Sequence, residues 1–335
     1  MELPALKTRL DGFVREILGP NCQLSYLEKS DGHAGLTYLF GVKDGQNQLS
    51  EFVLKIPPAG VRLKGNTDVL RQAPLLNALN DAGLPVPKVP YAYDENAWFD
   101  RPFIVMEKLP GRVFFVWEPH QSFAHEGEQA LSIWRQCVEQ LSALHRIDWQ
   151  SVLPDWEAPE ELGDNLARWQ AIYRHALEPN WIQLAEETER RLIDHLPDDY
   201  QLGLFHGDFQ PGNLLYEDYQ FVAVIDWELS GISAQALDLG WLLMVVDEKN
   251  WISNYRPVSP ISEQEVLSIY QSGMGYLPDD HIWFQAFAGY RLASIACLNH
   301  KLHVTGKRIE PAWESLGQCV VPMFERAQAL LANYK

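Results

Sequence analysis

The spacing of hydrophobic positions changes several times in the first hundred residues. The stretch up to about Gly19 has a helical repeat, and short alternating runs separated by glycine and polar clusters follow it. After the third run, apolar positions at helical spacing predict one helix that starts near Asn66 or Thr67 and ends near Gly83. The pattern predicts a helix packed on a small sheet, with strands at 23–29, 36–42, 52–56, 89–93 and 103–106.

The rest of the chain has a mainly helical pattern. Apolar residues recur at helical spacing from Leu131 to His145, again over 166–195, and again from about Ala234, with brief strand-like runs at 202–205 and 221–225. A short polar link, Glu107-Lys108-Leu109-Pro110-Gly111, separates the two patterns. We therefore predict a small lobe over residues 1–107, a hinge at 108–111 and a larger helical lobe over 112–335.

The charge balance excludes some partners. The 335 residues carry 27 basic and 45 acidic side chains, a net charge of −18, without the Lys and Arg clusters that nucleic acid or an anionic membrane would need. A cationic substrate fits this balance, although solubility alone also explains it. The four cysteines are scattered, and the longest apolar run, 239–246, is too short to span a membrane. We expect a cytoplasmic protein with reduced thiols.

The segment most informative about chemistry is His206-Gly207-Asp208-Phe209-Gln210-Pro211-Gly212-Asn213, which is followed by Asp226 after a strand-like run. A carboxylate on a rigid loop, such as Asp208, can accept the proton of a hydroxyl that attacks phosphorus. An amide oxygen of Asn213 and a carboxylate of Asp226 are ligands that Mg²⁺ prefers. His206 is expected to brace the loop. This spacing is typical of kinase-like phosphotransferases.

These residues resemble the aminoglycoside phosphotransferase and choline kinase family, in which the loop reads H-G-D-x-x-x-x-N and the metal-binding Asp precedes Trp and an acid, as in Asp226-Trp227-Glu228. The resemblance implies an α+β, two-lobed protein-kinase-like fold with a small antiparallel-sheet N-lobe and a mainly helical C-lobe. It implies ATP and Mg²⁺ as cofactors, Asp208 as the catalytic base, and Asn213 and Asp226 as metal ligands. Asp238 matches an aspartate with a structural role in the catalytic loop.

The resemblance also suggests nucleotide-binding residues in the small lobe. Gly32 and Gly35 lie in a loop between two predicted strands, where the family covers the ATP phosphates. Lys55, on the third predicted strand, matches the lysine that pairs with these phosphates. The hinge that would bind adenine through its backbone contains Met106, Glu107 and Leu109.

One position departs from the family pattern. The family places a glutamate on the helix after the lysine strand, but this chain has no Glu between Phe52 and Asp94 and has Gln72 at that place. We expect Gln72 to face inward and to accept a hydrogen bond from Lys55, with a weakened ATP site as the result. Asp68 is the only nearby acid that could substitute.

Several alternatives remain open from the sequence. The chain could be a catalytically weak or inactive nucleotide-binding protein, or a metal-dependent hydrolase using His206, Asp208 and Asp226. Some of the twelve tryptophans could form a cage for a quaternary ammonium group, although aromatic residues at helical spacing usually belong to a core. Asp247 and Glu248 fit either a solvated helix end or a cationic-substrate site. The acceptor could be an amino alcohol, an aminoglycoside, a sugar or a hydroxy acid.

Overall fold

The computed structural model describes residues 2–30, 36–58, 60–94, 98–332 and 334. The chain forms two compact units. The first comprises Met1–Gly111, Gln150–Trp156 and Val222–Leu229, and the second comprises Arg112–Trp149, Glu157–Phe221 and Ser230–Lys335.

The first unit contains a five-stranded antiparallel sheet in the order β1-β2-β3-β5-β4. Its strands are β1 (Gln23–Lys29), β2 (Leu36–Lys43), β3 (Leu49–Ile56), β4 (Tyr91–Tyr93) and β5 (Phe103–Glu107). All five match predicted strands to within three residues at each end. The alternation along β3 is the reason: Leu54 and Ile56 are buried in the core, so Lys55 between them points to the opposite face.

Two helical segments complete this unit. Helix α1 (Leu3–Phe13) continues into a π-helical turn, Val14–Leu18, and Phe13 packs edge-to-face on Phe103 with ring centroids 5.6 Å apart. Helix α2 (Gln72–Asp81) begins later than predicted because the Asp68 carboxylate caps a 3₁₀ turn, Val69–Arg71, by accepting the Leu70 N–H at 3.1 Å.

The chain beyond Gly111 is mainly helical, as predicted. The long helix predicted over 166–195 is broken, however, because Pro179 cannot lie inside a helix and instead begins the third of three shorter ones. The helices are α3 (Gly127–His145), α4 (Trp149–Val152), α5 (Leu162–Ala167), α6 (Gln170–Tyr173), α7 (Pro179–Asp194), α8 (Ala236–Val246), α9 (Glu263–Met274), α10 (His281–Val304), α11 (Ala312–Gln318) and α12 (Val320–Leu331).

Short strands of the second unit flank residues 206–213. Strand β7 (Leu202–Phe205) pairs antiparallel with β10 (Gly231–Ala234), and β6 (Arg112–Val113) pairs antiparallel with β8 (Leu214–Glu217). The segment therefore leaves one strand and enters another. The sequence predicted β7 and, shifted by one residue, β9 (Gln220–Val224), but not β6, β8 or β10.

Helix α10 packs against α8 and α12 in the second unit. The approach of α8 and α10 is close at Gly240, where a Cβ atom would lie 2.3 Å from the Phe284 carbonyl oxygen. No helix in the described part of the chain is long and apolar enough to cross a membrane. The antiparallel sheet and the helical part together confirm the predicted α+β class.

Candidate active site

The backbone of residues 206–208 is held by buried side chains of the second unit. Asp238, on α8, is wholly buried, and its two carboxylate oxygens accept the N–H groups of His206 at 2.6 Å and Gly207 at 2.8 Å. Gly207 has φ of 92°, a left-handed conformation that favours glycine. His206, also fully buried, accepts the Asp208 N–H on Nδ1 at 3.3 Å. These contacts support the predicted bracing roles of Asp238 and His206 rather than a metal-binding role for His206.

The carboxylate of Asp208 is held at both oxygens. Gln210 Nε2 donates to Oδ1 at 2.9 Å, and Asn213 Nδ2 donates to Oδ2 at 2.8 Å and also to the Asp208 carbonyl. Asp208 is half-buried, so its carboxylate is oriented without being sealed from solvent. The structure thus brings Asp208 and Asn213 together. Gln210, which sequence reasoning passed over, lies inside the motif itself.

A second layer supports Asp238. His145, at the end of α3, has Nε2 3.6 Å from Asp238 Oδ2 and Nδ1 2.8 Å from the Tyr270 hydroxyl. Burial raises the pKa of the Asp238 carboxyl, but the hydrogen bonds and charges of His145 and His206 together lower it by more. The pKa of Asp238 therefore lies below its ordinary value. Asp238 therefore stays ionised at neutral pH and keeps two oxygens as acceptors. His145 is thus a buried, hydrogen-bonded residue of the core that also lies beside Asp238.

The first unit brings Lys55 and Asp226 together. Lys55 Nζ lies 3.0 Å from Asp226 Oδ1, and the Lys55 side chain is only 14% exposed. Burial lowers the pKa of Lys55, but the Asp226 and Glu228 carboxylates raise it more, so the pKa lies above its ordinary value. Asp226 has φ of 66°, in the left-handed region that non-glycine residues enter rarely and often at functional sites.

The turn that carries Asp226 is fixed within the first unit. Arg71 Nη1 donates to the Glu228 carbonyl at 3.1 Å, and its guanidinium lies 4.9 Å from the ring centroid of Trp156. Trp156 Nε1 in turn donates to the Arg71 carbonyl at 2.8 Å. Trp227 Nε1 donates to the Val224 carbonyl at 3.1 Å. The spacing of the motif gave no sign of these anchors, because Trp156 comes from a distant segment.

The predicted hinge lies at the end of β5. Met106 is buried, whereas Glu107 is exposed and Leu109 is half-buried. The Glu107 N–H donates to the Lys88 carbonyl at 2.9 Å, and the Lys108 N–H donates to the Glu51 carbonyl at 3.1 Å. Two of the hinge donors are therefore already used within the unit.

The remaining predicted residues have different outcomes. Gln72 is 2% exposed at the first position of α2, so it faces inward as expected. Lys55 has a carboxylate partner in Asp226, whereas Asp68 caps a turn. Gly32 and Gly35 lie outside the described residues.

Comparison with known proteins places these residues in a family. The model of the phosphotransferase enzyme family matches residues 28–257, more than half of the chain. The chain belongs to this phosphotransferase family. The matched range includes Lys55, the 206–213 segment, Asp226 and Asp238. The predicted family resemblance is therefore confirmed.

Solved phosphotransferases share the fold. A Ralstonia eutropha protein assigned as an aminoglycoside phosphotransferase has a TM-score of 0.75 at 21% identity, covering 100% of this chain and 99% of that chain. Aminoglycoside phosphotransferase APH(4)-Ia, solved with AMP-PNP and hygromycin B, has a TM-score of 0.61 at 14% identity, covering 97% and 98%. This confirms the two-lobed kinase-like architecture.

The curated relatives are longer proteins. Mouse acyl-CoA dehydrogenase family member 10 is 26% identical over 343 residues, which cover 95% of this chain but 30% of that protein. Across the first relatives, the chain spans between 30% and 42% of their length. The similarity therefore concerns one part of each relative.

Two features of this phosphotransferase bear on a cationic acceptor. The rings of Trp169 and Trp241 enclose the Arg291 guanidinium, whose carbon lies 5.1 Å from each centroid, so this aromatic pair already holds a cation of the protein. Of the two acids considered, Asp247 is 6% exposed and forms an ion pair with Arg326, whereas Glu248 is exposed and pairs with Arg256. Glu248 therefore fits the solvated helix end, and Asp247 does not.

The oxygen donors of this phosphotransferase suit a hard cation. In the second unit, Asn213 donates both of its hydrogen bonds to Asp208 through Nδ2, so neither of them uses the amide oxygen. In the first unit, Asp226 carries a carboxylate that pairs with Lys55. Within the described ranges there is no group of three or more His, Cys, Asp or Glu side chains that could hold a metal ion by themselves. Amide and carboxylate oxygens are the ligand types that Mg²⁺ prefers, and Mg²⁺ usually binds one or two of them together with phosphates and water.

Proposed function

We propose that the chain is an ATP-dependent phosphotransferase that moves the γ-phosphoryl group to a hydroxyl of a small molecule. The observation that carries this proposal is the Asp208 carboxylate, oriented by Gln210 and Asn213 on a loop whose backbone Asp238 holds. A positioned carboxylate of this kind is what phosphoryl transfer to a hydroxyl needs.

The reaction requires one proton acceptor. The acceptor hydroxyl oxygen forms a bond to the γ-phosphorus while the bond from that phosphorus to the bridging oxygen of ADP breaks. Asp208 takes the hydroxyl proton on one carboxylate oxygen and releases it to solvent after the phosphorylated product leaves. No covalent intermediate with the protein is required.

Lys55 and the hinge provide the nucleotide contacts in this proposal. The Lys55 ammonium remains charged at neutral pH, because its pKa is raised, and pairs with the phosphates of ATP. The N–H of Leu109 would donate to the adenine ring, and the carbonyl oxygens of Met106 and Glu107 would accept from the base. Gly32 and Gly35 would approach the phosphates through their backbone.

Asn213 and Asp226 are the residues that would hold Mg²⁺. When bound, the cation neutralises charge that develops on the phosphate oxygens. The Lys55 ammonium lies 3.0 Å from Asp226 Oδ1, so the lysine and the proposed metal ligand are close to each other.

The uncharged side chain of Gln72 supports a second candidate function, that of a nucleotide-binding protein with weak or no turnover. The family's glutamate at this place would attract Lys55, whereas the amide of Gln72 has no charge to do so. The two candidates differ in a simple readout, because both predict nucleotide binding but only the first predicts release of ADP in the presence of an acceptor.

The proposal is tested by measuring ADP release from magnesium-ATP across a panel of amino alcohols, aminoglycosides, sugars and hydroxy acids. We expect one class to be turned over and Asp208→Asn to lower its kcat by roughly a hundred- to ten-thousandfold. The exposed carboxylate of Asp198 provides a matched control, since Asp198→Asn should retain full activity. Full activity of Asp208→Asn would contradict the assigned base.

A further inference from the structure

Arg291 is a buried charge in a mostly apolar helix. It lies on α10 and is 4% exposed, between the rings of Trp169 and Trp241. Burial of a guanidinium is costly unless its charge and its N–H groups are matched. The contacts of Arg291 therefore indicate what the chain gains by keeping a charge at this position.

The hydrogen bond of Arg291 is directed to the catalytic loop. Its Nη2 donates to the Gly207 carbonyl oxygen at 3.0 Å. The other polar group of the same peptide bond, the Asp208 N–H, donates to His206 Nδ1 at 3.3 Å. Side chains thus hold both ends of the peptide bond that leads into Asp208. A change in the backbone dihedral angles beside this peptide would turn the Cα–Cβ bond of Asp208 and with it the carboxylate.

The stability of the core does not explain why residue 291 is a charged arginine. Burial and the charge of Arg168 lower the pKa of Arg291 to about 10, against the opposing effect of the Asp238, Asp208 and Glu160 carboxylates. The side chain is therefore still a cation at neutral pH. Its Nε has no hydrogen-bond partner in the part of the chain that the structure describes. An apolar residue of similar size would avoid this unmet donor, so stability alone does not explain an arginine here.

We propose that Arg291 is a positioning residue, which fixes the Gly207–Asp208 peptide and thereby the direction of the Asp208 carboxylate. The inference rests on the proposed role of Asp208 as the base. Arg291 acts through the loop and does not touch the reacting atoms.

Hydrogen exchange of the full chain tests the contact without requiring turnover. Arg291→Met fills the space between the two indole rings without a charge or a donor, and Arg291→Lys keeps the charge and one flexible donor. The control is Ser294→Ala, because Ser294 is buried on the same helix and donates only to the Tyr290 carbonyl at 2.7 Å. We expect amides of 206–209 to exchange roughly tenfold faster in Arg291→Met, less so in Arg291→Lys, and at the wild-type rate in Ser294→Ala.

Kinetics then separate positioning from a general structural role. We expect Arg291→Met to lower kcat for ADP release by about ten- to a hundredfold while the ATP KM stays within about twofold, with partial recovery in Arg291→Lys. The inference would be overturned if the amides of 206–209 exchanged hydrogen at the wild-type rate in both Arg291→Met and Arg291→Lys. A kcat per folded molecule that equals the wild-type value would do so as well, even if the melting temperature fell.

The two proposals fail in different ways. If Asp208→Asn kept full kcat, the assigned base would be wrong, whereas the exchange result would still decide whether Arg291 holds the loop. If Asp208→Asn lost activity and Arg291→Met exchanged like the wild type, only the positioning role would be lost.

Discussion

Lys55 and Asp226 form an ion pair, with Nζ 3.0 Å from Oδ1. The lysine that would bind phosphate and the aspartate that would bind Mg²⁺ thus neutralise each other within one unit. Because the Lys55 side chain is mostly buried, its charge is costly unless a carboxylate lies close to it, and Asp226 is the carboxylate that it contacts.

This pair predicts a dependence of stability on pH. Because the folded chain holds the Lys55 proton more tightly than the unfolded chain, its contribution is fully present below the ordinary pKa of about 10.5 and is lost as pH rises through the folded value. The free energy of unfolding of wild type minus that of Lys55→Met should be constant from pH 7 to about 10 and should shrink above it. Exposed Lys88 offers the control Lys88→Met, for which no such change is expected. If the difference in the free energy of unfolding grew with pH, it would contradict an ion pair between Lys55 and Asp226.

Asp238→Asn should destabilise the chain and slow the reaction. An amide presents one oxygen where the carboxylate presents two, so one of the N–H groups of His206 and Gly207 loses its acceptor in a buried place. We expect a loss of roughly 2–3 kcal/mol in the free energy of unfolding at pH 7, measured by denaturant titration, together with a lower kcat.

The same substitution has a characteristic pH dependence. The folded pKa of Asp238 is lowered, so its stabilising effect is present above the ordinary value of 3.8 and is lost as pH falls through the folded value. The free energy of unfolding of the wild type minus that of Asp238→Asn should become smaller below pH 3.8. If this difference stayed constant down to pH 2, the ionised carboxylate would contribute nothing to stability.

Gln72→Glu should strengthen the ATP site. A carboxylate at this buried position offers Lys55 an alternative to Asp226 and so leaves Asp226 available for Mg²⁺. We expect the ATP KM to fall several-fold, up to about tenfold, as for one gained charge-assisted contact. Gln72→Met, which has similar size and no acceptor oxygen, is the control and should not improve KM. Unchanged KM and kcat in Gln72→Glu would refute the idea that Gln72 weakens the site.

The packing of α8 on α10 predicts opposite effects at two glycines. A methyl group at Gly240 would lie 2.3 Å from the Phe284 carbonyl, so Gly240→Ala should lower the free energy of unfolding by roughly 1–3 kcal/mol. At Gly289, on α10, the nearest atom would be at an ordinary 3.5 Å. Gly289→Ala should therefore be neutral or stabilising by up to about 1 kcal/mol. Equal thermal unfolding of the two variants would contradict this packing.

The features predicted from the sequence are those that depend on the order of residues within one short segment. The strands of the small sheet follow from period-two alternation, and the roles of Asp208 and Asn213 follow from the spacing of one motif. The break in the predicted 166–195 helix was also readable, because Pro179 lies within it. Fold class and family are confirmed, whereas the lobe boundaries and the site residues stay predictions.

Other contacts were not accessible from local pattern. Arg291 reaches Gly207 from α10, and His145 reaches Asp238 from α3. Trp156 reaches Arg71 from a distant segment. Only the folded chain brings such residues together. For Arg291 a signal was nevertheless present, since it is a single charge within a long apolar stretch of helix.

The most direct test of the central claim is the melting temperature of wild type and Asp226→Asn with and without magnesium-ATP. A ligand at a hundred times its Kd stabilises the folded state by about 2.7 kcal/mol, enough for a rise of several degrees. We predict this rise for the wild type and predict that Asp226→Asn abolishes its magnesium-dependent part. No rise in the wild type, or the same magnesium-dependent rise in Asp226→Asn, would contradict a magnesium-ATP site at Asp226.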